Sequence, residues 1–72
     1  MNDILYTVHV DGTDRKFKKG TTYREIAMTY QPEYPHDIVL VFVDGRLQEL
    51  FKTLEKDCEL KFVTTADPLG YK

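Results

Sequence analysis

Val-Asp-Gly occurs twice in this chain, at Val10-Asp11-Gly12 and at Val43-Asp44-Gly45. Each copy follows an apolar-rich run and precedes a second extended run. Asp-Gly in that setting predicts a two-residue β-hairpin, because a type I′ turn needs positive φ at both central positions and few other pairs adopt it without strain. One segment with a helix start signal lies between the two turns, and a further apolar run follows the second. The order is hairpin, helix, hairpin, strand.

Residues Ile4 to Val10 alternate, with Ile4, Tyr6, Val8 and Val10 apolar against Thr7 and His9. A period of two predicts a strand buried on one face. Asp14 to Lys18 form the return strand, anchored by Phe17 and charged by Lys16, Lys18 and the following Lys19. So many lysines suit a sheet edge, where they discourage pairing with another molecule. Gly20 ends that strand. Thr22-Tyr23-Arg24-Glu25 has the spacing of a capping box, and Tyr23/Ala27 and Ile26/Tyr30 follow as i,i+4 pairs on one face. Pro32 stops the helix after roughly three turns by removing a donor and restricting Gln31. Glu33 to Asp37 is read as a loop.

Ile38 to Val43 is apolar at every position, as in a central strand covered on both faces. Arg46 to Leu50 returns from the second turn. Phe51 to Asp57 is a connection, with a helical turn expected around Thr53 to Lys56. Glu59 to Thr64 alternates again and sets Leu60 and Phe62 against Lys61 and Val63. From Thr65 the periodicity dissolves. These elements define an α+β chain of order ββαβββ, a mixed sheet with one helix packed on one face, which is the β-grasp or ubiquitin-like arrangement. Residues 1–65 form the domain, and 66–72 are read as a linker stub toward a downstream domain. A βαβ nucleotide-binding fold would need a glycine-rich loop after a buried strand, and the sequence has none.

Length limits what such a domain can do. A core built from 72 residues leaves a net stability on the order of 3–5 kcal/mol, too little to support a deep catalytic cleft. The net charge of −2 gives no general attraction for nucleic acid or an anionic membrane. No apolar run approaches the ~20 residues a membrane span needs. Cys58 is the single cysteine, which excludes an internal disulfide and a cysteine-based metal cluster and fits a reducing, cytoplasmic compartment. His9 and His36 have no Cys or third His at ligand spacing. His9 is read as a solvent-side strand residue and His36 as loop surface. Glu55, Asp57 and Glu59 are read as a solvated turn, and turn geometry accounts for Asp11 and Asp44. No catalytic residue and no metal ligand is assigned.

Two surfaces remain. Arg15, Lys16, Lys18 and Lys19, with Arg24, are the candidate phosphate or RNA contacts, set against the edge-strand role of the same lysines. The sheet face opposite the helix is the second. The six apolar residues of Ile38 to Val43 serve one helix, so one row lacks a cover within this domain. With Val39, Val41 and Val43 toward the helix, Ile38, Leu40 and Phe42 point outward, flanked by His9, Lys61 and Val63; the reverse register leaves the other row outward instead. An uncovered apolar row marks an interaction surface, unless the Phe51 to Asp57 connection folds over it.

Three stretches carry a family resemblance. They are Val10-Asp11-Gly12 with Phe17, Thr22 to Ala27 with its Ile26-Ala27 pair, and Val43-Asp44-Gly45 followed by Leu47, Leu54, Asp57, Leu60 and Thr64-Thr65. In order and spacing they resemble the TGS domain, named after threonyl-tRNA synthetase, certain GTPases and the stringent-response synthetase/hydrolase. The resemblance implies an accessory module within a larger enzyme. Asp67-Pro68-Leu69-Gly70-Tyr71-Lys72 resembles the junction that leads toward a P-loop kinase domain in bacterial uridine kinase-like proteins. The implied reading is a non-catalytic regulatory or binding module of such a nucleoside kinase, a transferase, docking through its open sheet face. The alternative is an RNA- or nucleotide-binding accessory domain as in threonyl-tRNA synthetase or stringent-response enzymes. The chain has no G-x-x-x-x-G-K-[ST] loop, so ATP and Mg are expected in the parent enzyme alone, and no cofactor in this domain. The expected partners are downstream domains of the same polypeptide, then RNA or nucleotide and a weakly associating second copy, and no membrane.

Overall fold

The computed structural model describes residues 3–67. The elements are β1 (Leu5–Val10), β2 (Thr13–Lys18), α1 (Tyr23–Tyr30), β3 (Ile38–Val43), β4 (Arg46–Glu49) and β5 (Cys58–Thr64), with a 3-10 turn at Gln31–Glu33. The strands form one sheet in the order β2-β1-β5-β3-β4. β1 with β2, β3 with β4, and β3 with β5 are antiparallel. β1 and β5 are parallel and join the two hairpins through only two pairs, Val8 with Cys58 and His9 with Glu59. This mixed sheet with one helix is the β-grasp arrangement that the element order predicts.

Both Asp-Gly turns have the expected backbone: φ is 50° at Asp11 and Asp44, 80° at Gly12 and 85° at Gly45. Positive φ at both central positions matches the right-handed twist of the flanking strands. Each aspartate also holds a distant segment. Asp44 N–H donates to Glu59 O at 2.9 Å, and Glu59 N–H returns a bond to Asp44 Oδ1 at 2.8 Å. Asp11 Oδ2 accepts from the Tyr34 hydroxyl at 3.0 Å.

Thr22 caps α1: its backbone is extended and its Oγ1 accepts from Glu25 N–H at 3.2 Å. Tyr23, Ile26, Ala27 and Tyr30 form the buried face. The α-helix stops at Tyr30, two residues short of Pro32, and the path continues as the 3-10 turn with Pro32 in its first turn. Proline is tolerated there because its missing N–H would have had no partner. The α-helix therefore ends ahead of Pro32 as expected, and the chain runs on as a 3-10 turn.

The core lies between α1 and one face of the sheet. Val8, Val10, Val41, Val43, Leu60 and Phe62 meet Tyr23, Ile26, Ala27 and Tyr30, and Leu54 completes the cluster. Leu54 belongs to the 51–57 connection, which has no helical turn at Thr53 to Lys56; Thr53 forms an isolated bridge with Thr22 instead. Leu54 N–H donates to Thr21 O at 2.8 Å, Gly20 N–H to Leu54 O at 2.9 Å, and Tyr23 N–H to Lys52 O at 2.9 Å. The connection is stitched to the start of the helix, not laid over the opposite face.

The register of β3 decides which residues face that core. Val41 pairs with Phe62 and Val43 with Leu60, while Leu40 pairs with Val63 and Phe42 with Lys61 on the other face. The ladder shifts between Ile38 and Leu40. Ile38 is accordingly 7% exposed and part of the core cluster. The outward placement expected for Ile38 is corrected: an irregularity that advances the register by one residue reverses the side a residue faces.

Candidate functional site

The sheet face opposite α1 carries a compact apolar area. Phe42 lies between Lys61 and Leu47, and Leu40 between Val63 and Glu49. Leu40 and Phe42 are half-buried, Leu47 is 45% exposed, and Val63 is 4% exposed yet outside the core cluster. Phe42, Gly45, Glu59 and Lys61 border a shallow depression of about 330 Å³. His9 stands beside Glu59 on the same face, its Nδ1 2.6 Å from Asp14 Oδ1. The fold thus gathers Leu40, Phe42, Val63, Lys61 and His9 on one face and adds Leu47, while Ile38 belongs to the core.

The basic residues are divided. Pairing of Thr7 with Lys16 and Leu5 with Lys18 puts these lysines on the open face, and pairing of Val8 with Arg15 puts Arg15 on the helix side. There the guanidinium carbon of Arg15 lies 5.2 Å from the centroid of the Tyr30 ring. Lys18 Nζ is 3.3 Å from Asp3 Oδ2. Lys19 follows β2 and is exposed. Arg24 borders a groove with Met28, Ile38 and Leu50, next to β3 and β4 and across the sheet from β2. Arg24 and Arg15 therefore do not share a patch with Lys16 and Lys18. The signal was present in the sequence, since adjacent strand residues such as Arg15 and Lys16 must point to opposite faces.

Polar side chains elsewhere make local structural bonds, to backbone or to one another. Thr7 N–H donates to Asp57 Oδ1 at 2.6 Å, and the Thr53 hydroxyl to Glu55 Oε2 at 2.7 Å. Glu55, Asp57 and Glu59 do not converge on a common point; Asp57 and Glu55 have these separate partners, and Glu59 is exposed on β5. Asp44 is held below the ordinary carboxylate range by the bond from the Glu59 backbone, with Lys56 Nζ at 3.3 Å adding to the effect. Burial pushes the Cys58 thiol up to about 11, which leaves it a poor nucleophile. Burial, reinforced by the hydrogen bond to Asp11, pushes Tyr34 up to about 12. Among the described residues, no group of three or more His, Cys, Asp or Glu is placed to hold a metal ion, and no helix is long and apolar enough to cross a membrane.

The structure is a single-helix β-grasp module with an open, partly apolar sheet face. No protein-family model matches the chain. It is 33% identical over 70 residues to the threonine–tRNA ligase of Symbiobacterium thermophilum, covering 97% of this chain and 11% of the ligase. The corresponding protein of Sphingopyxis alaskensis is 33% identical over 67 residues, with 93% and 10% covered. That of Thermotoga neapolitana is 38% identical over 58 residues, with 81% and 9% covered. The chain is a TGS-like small domain homologous to a small part of the threonine–tRNA ligases, and it spans about a tenth of the length of these curated relatives. Nothing in these comparisons indicates a uridine kinase-like parent. That expectation, with its nucleoside kinase and transferase activity, gives way to the synthetase alternative. The junction it rested on lies, from Pro68 onward, outside the described residues.

Proposed function

We propose that this chain is a non-catalytic accessory module of a larger enzyme of the threonyl-tRNA synthetase type, and that it docks against another domain of its own polypeptide through the face bearing Leu40, Phe42 and Leu47. The observation that carries this reading is the apolar area on the face away from the helix, which the 51–57 connection leaves uncovered. Apolar area of this kind contributes roughly 25 cal/mol per Å² when a partner removes it from water. An intramolecular partner needs few such contacts, because linkage supplies a high effective concentration. The homologous stretch in the relatives is about a tenth of a longer polypeptide, which makes a neighbouring domain the natural occupant.

A second reading is RNA contact through Lys16, Lys18 and Lys61, which share the open face. It is favoured by the relatives being tRNA ligases. One experiment separates the two. The labelled chain is titrated with the Thermotoga neapolitana ligase from which the homologous stretch has been deleted, and separately with tRNA. Docking predicts binding to the ligase that persists at about 0.5 M salt, where exposed charges are screened, and that is lost in Phe42→Glu. Nucleic-acid contact predicts binding to tRNA that falls steeply with salt and weakens in Lys16→Ala. Ligase binding unchanged by Phe42→Glu would reject the docking face.

A further inference from the structure

The β1–β2 turn, the C-terminal end of α1 and the 3-10 turn border a partly open cavity of about 300 Å³ lined by Val10, Asp11, Thr13, Arg15, Tyr30 and Glu33. It lies on the helix side of the sheet, away from the proposed docking face. The Tyr30 side chain is 5% exposed, and its shielded hydroxyl has no hydrogen-bond partner among the described residues. A buried hydroxyl without a partner is costly, and in native structures it calls for an explanation. The charges that act on this phenol belong to Arg15, Glu33 and Asp11, which also line the cavity. The guanidinium carbon of Arg15 lies over the ring, 5.2 Å from its centroid, and Arg15 forms no ion pair among the described residues.

We propose that this cavity binds a small zwitterion of α-amino-acid size, whose carboxylate takes the Tyr30 hydroxyl and the Arg15 guanidinium while its ammonium group meets Asp11 and Glu33. The donor set decides the class. A simple anion such as phosphate would gain Arg15 and Tyr30 but face two carboxylates. A simple cation would gain the carboxylates but leave the Tyr30 hydroxyl unpaired. A ligand with both charges satisfies every group. Asp11 Oδ2 already accepts from Tyr34, so its other oxygen is the one that receives the ammonium. The volume lies at the lower end for small-molecule sites, roughly 300–1,000 Å³, and suits an amino acid better than a nucleotide. Arg15 is exposed, so its side chain is free to change rotamer as a ligand enters.

The test is an amide-proton NMR titration of the 15N-labelled chain with L-alanine, with acetate and ethylammonium chloride run separately as the two halves of the ligand. The expected result is saturable shifts of the amides around Asp11 to Arg15 and Tyr30 to Glu33, with a Kd on the order of 1 mM. Acetate and ethylammonium should give no saturable change at the same concentrations. Tyr30→Phe, which keeps the ring, and Arg15→Gln should each weaken binding by about tenfold or more while their spectra remain those of the folded chain. The absence of saturation up to about 50 mM, an equal response to either half-ligand, or full binding in both variants would overturn the proposal.

Discussion

Replacing Leu54 by alanine should cost about 3 kcal/mol of folding stability. Leu54 is 0% exposed and ranks among the largest fully buried side chains. Leucine truncation in a core costs about 2–5 kcal/mol, with the larger values where the surroundings cannot collapse into the space. Here the backbone is fixed on both sides by the bonds between Leu54 and Thr21 and between Gly20 and Leu54, so the space persists. A domain of this size has only about 3–5 kcal/mol in hand, which leaves Leu54→Ala near its own midpoint in water. Equilibrium urea unfolding followed by far-ultraviolet circular dichroism reads this directly. With m near 1 kcal/mol/M, the midpoint should fall by about 3 M. Leu54→Val, expected to lose about 1 kcal/mol, keeps the measurement on scale. Leu47→Ala, at a site 45% exposed, should stay within about 0.5 kcal/mol of the parent. If Leu54→Ala lost less than about 1 kcal/mol, or Leu47→Ala lost as much as Leu54→Ala, the packing of the 51–57 connection on the helix side would be wrong.

Asp44→Asn should destabilise the chain at neutral pH. Because the carboxyl of Asp44 sits below its ordinary range when folded, its stabilisation is present above about pH 4, the unfolded value, and is lost as pH falls through the lowered folded value. Urea midpoints of parent and variant should therefore converge in acid, and a constant gap would refute the role of the charge. Tyr34 behaves oppositely. Its folded pKa is raised to about 12, so its contribution is complete below about pH 10 and fades as pH rises toward 12; Tyr34→Phe should show no corresponding loss across that window. Cys58, with its thiol pushed up to about 11 by burial, should react with iodoacetamide only as fast as the chain opens, and rapid alkylation of the folded chain at neutral pH would show the burial to be misplaced.

Local chemistry made the turns and the helix face legible. Asp11-Gly12 and Asp44-Gly45 state their φ requirement in two residues, and Tyr23, Ile26, Ala27 and Tyr30 state one helix face by spacing. What escaped reading depends on partners distant in sequence. Ile38 sits in a run where every residue is apolar, so nothing local marks the shift that turns it inward. Leu54 stands alone among polar neighbours, without a period, and is buried because Gly20 and Thr21 bond its backbone. The basic residues erred in the other direction: the alternation that divides Arg15 from Lys16 was available, but grouping by charge hid it. The cavity at Tyr30 had a weaker signal, since Tyr30, spaced four residues from Ile26 on one helix face, reads first as core.

The polar residues of this domain also explain why its stability and its docking surface are separable. Connections here are irregular and the parallel link between hairpins has two pairs, so several backbone N–H groups fall outside the ladders. Side chains accept them: Asp57 for Thr7, Asp44 for Glu59, Gln31 for Ile38 and Asp67 for Thr64. Each such bond contributes on the order of 1 kcal/mol, and more where the acceptor is charged, against a total only a few times larger. These anchors involve none of the side chains of Leu40, Phe42 or Leu47. The helix-side core likewise draws on Val41 and Val43 of β3 and omits their outward neighbours. A charge introduced at Phe42 therefore meets solvent, not the core, and the chain should fold with it. Loss of binding in Phe42→Glu then reports on the face itself, whereas the same loss in Asp57→Ala would report on unfolding.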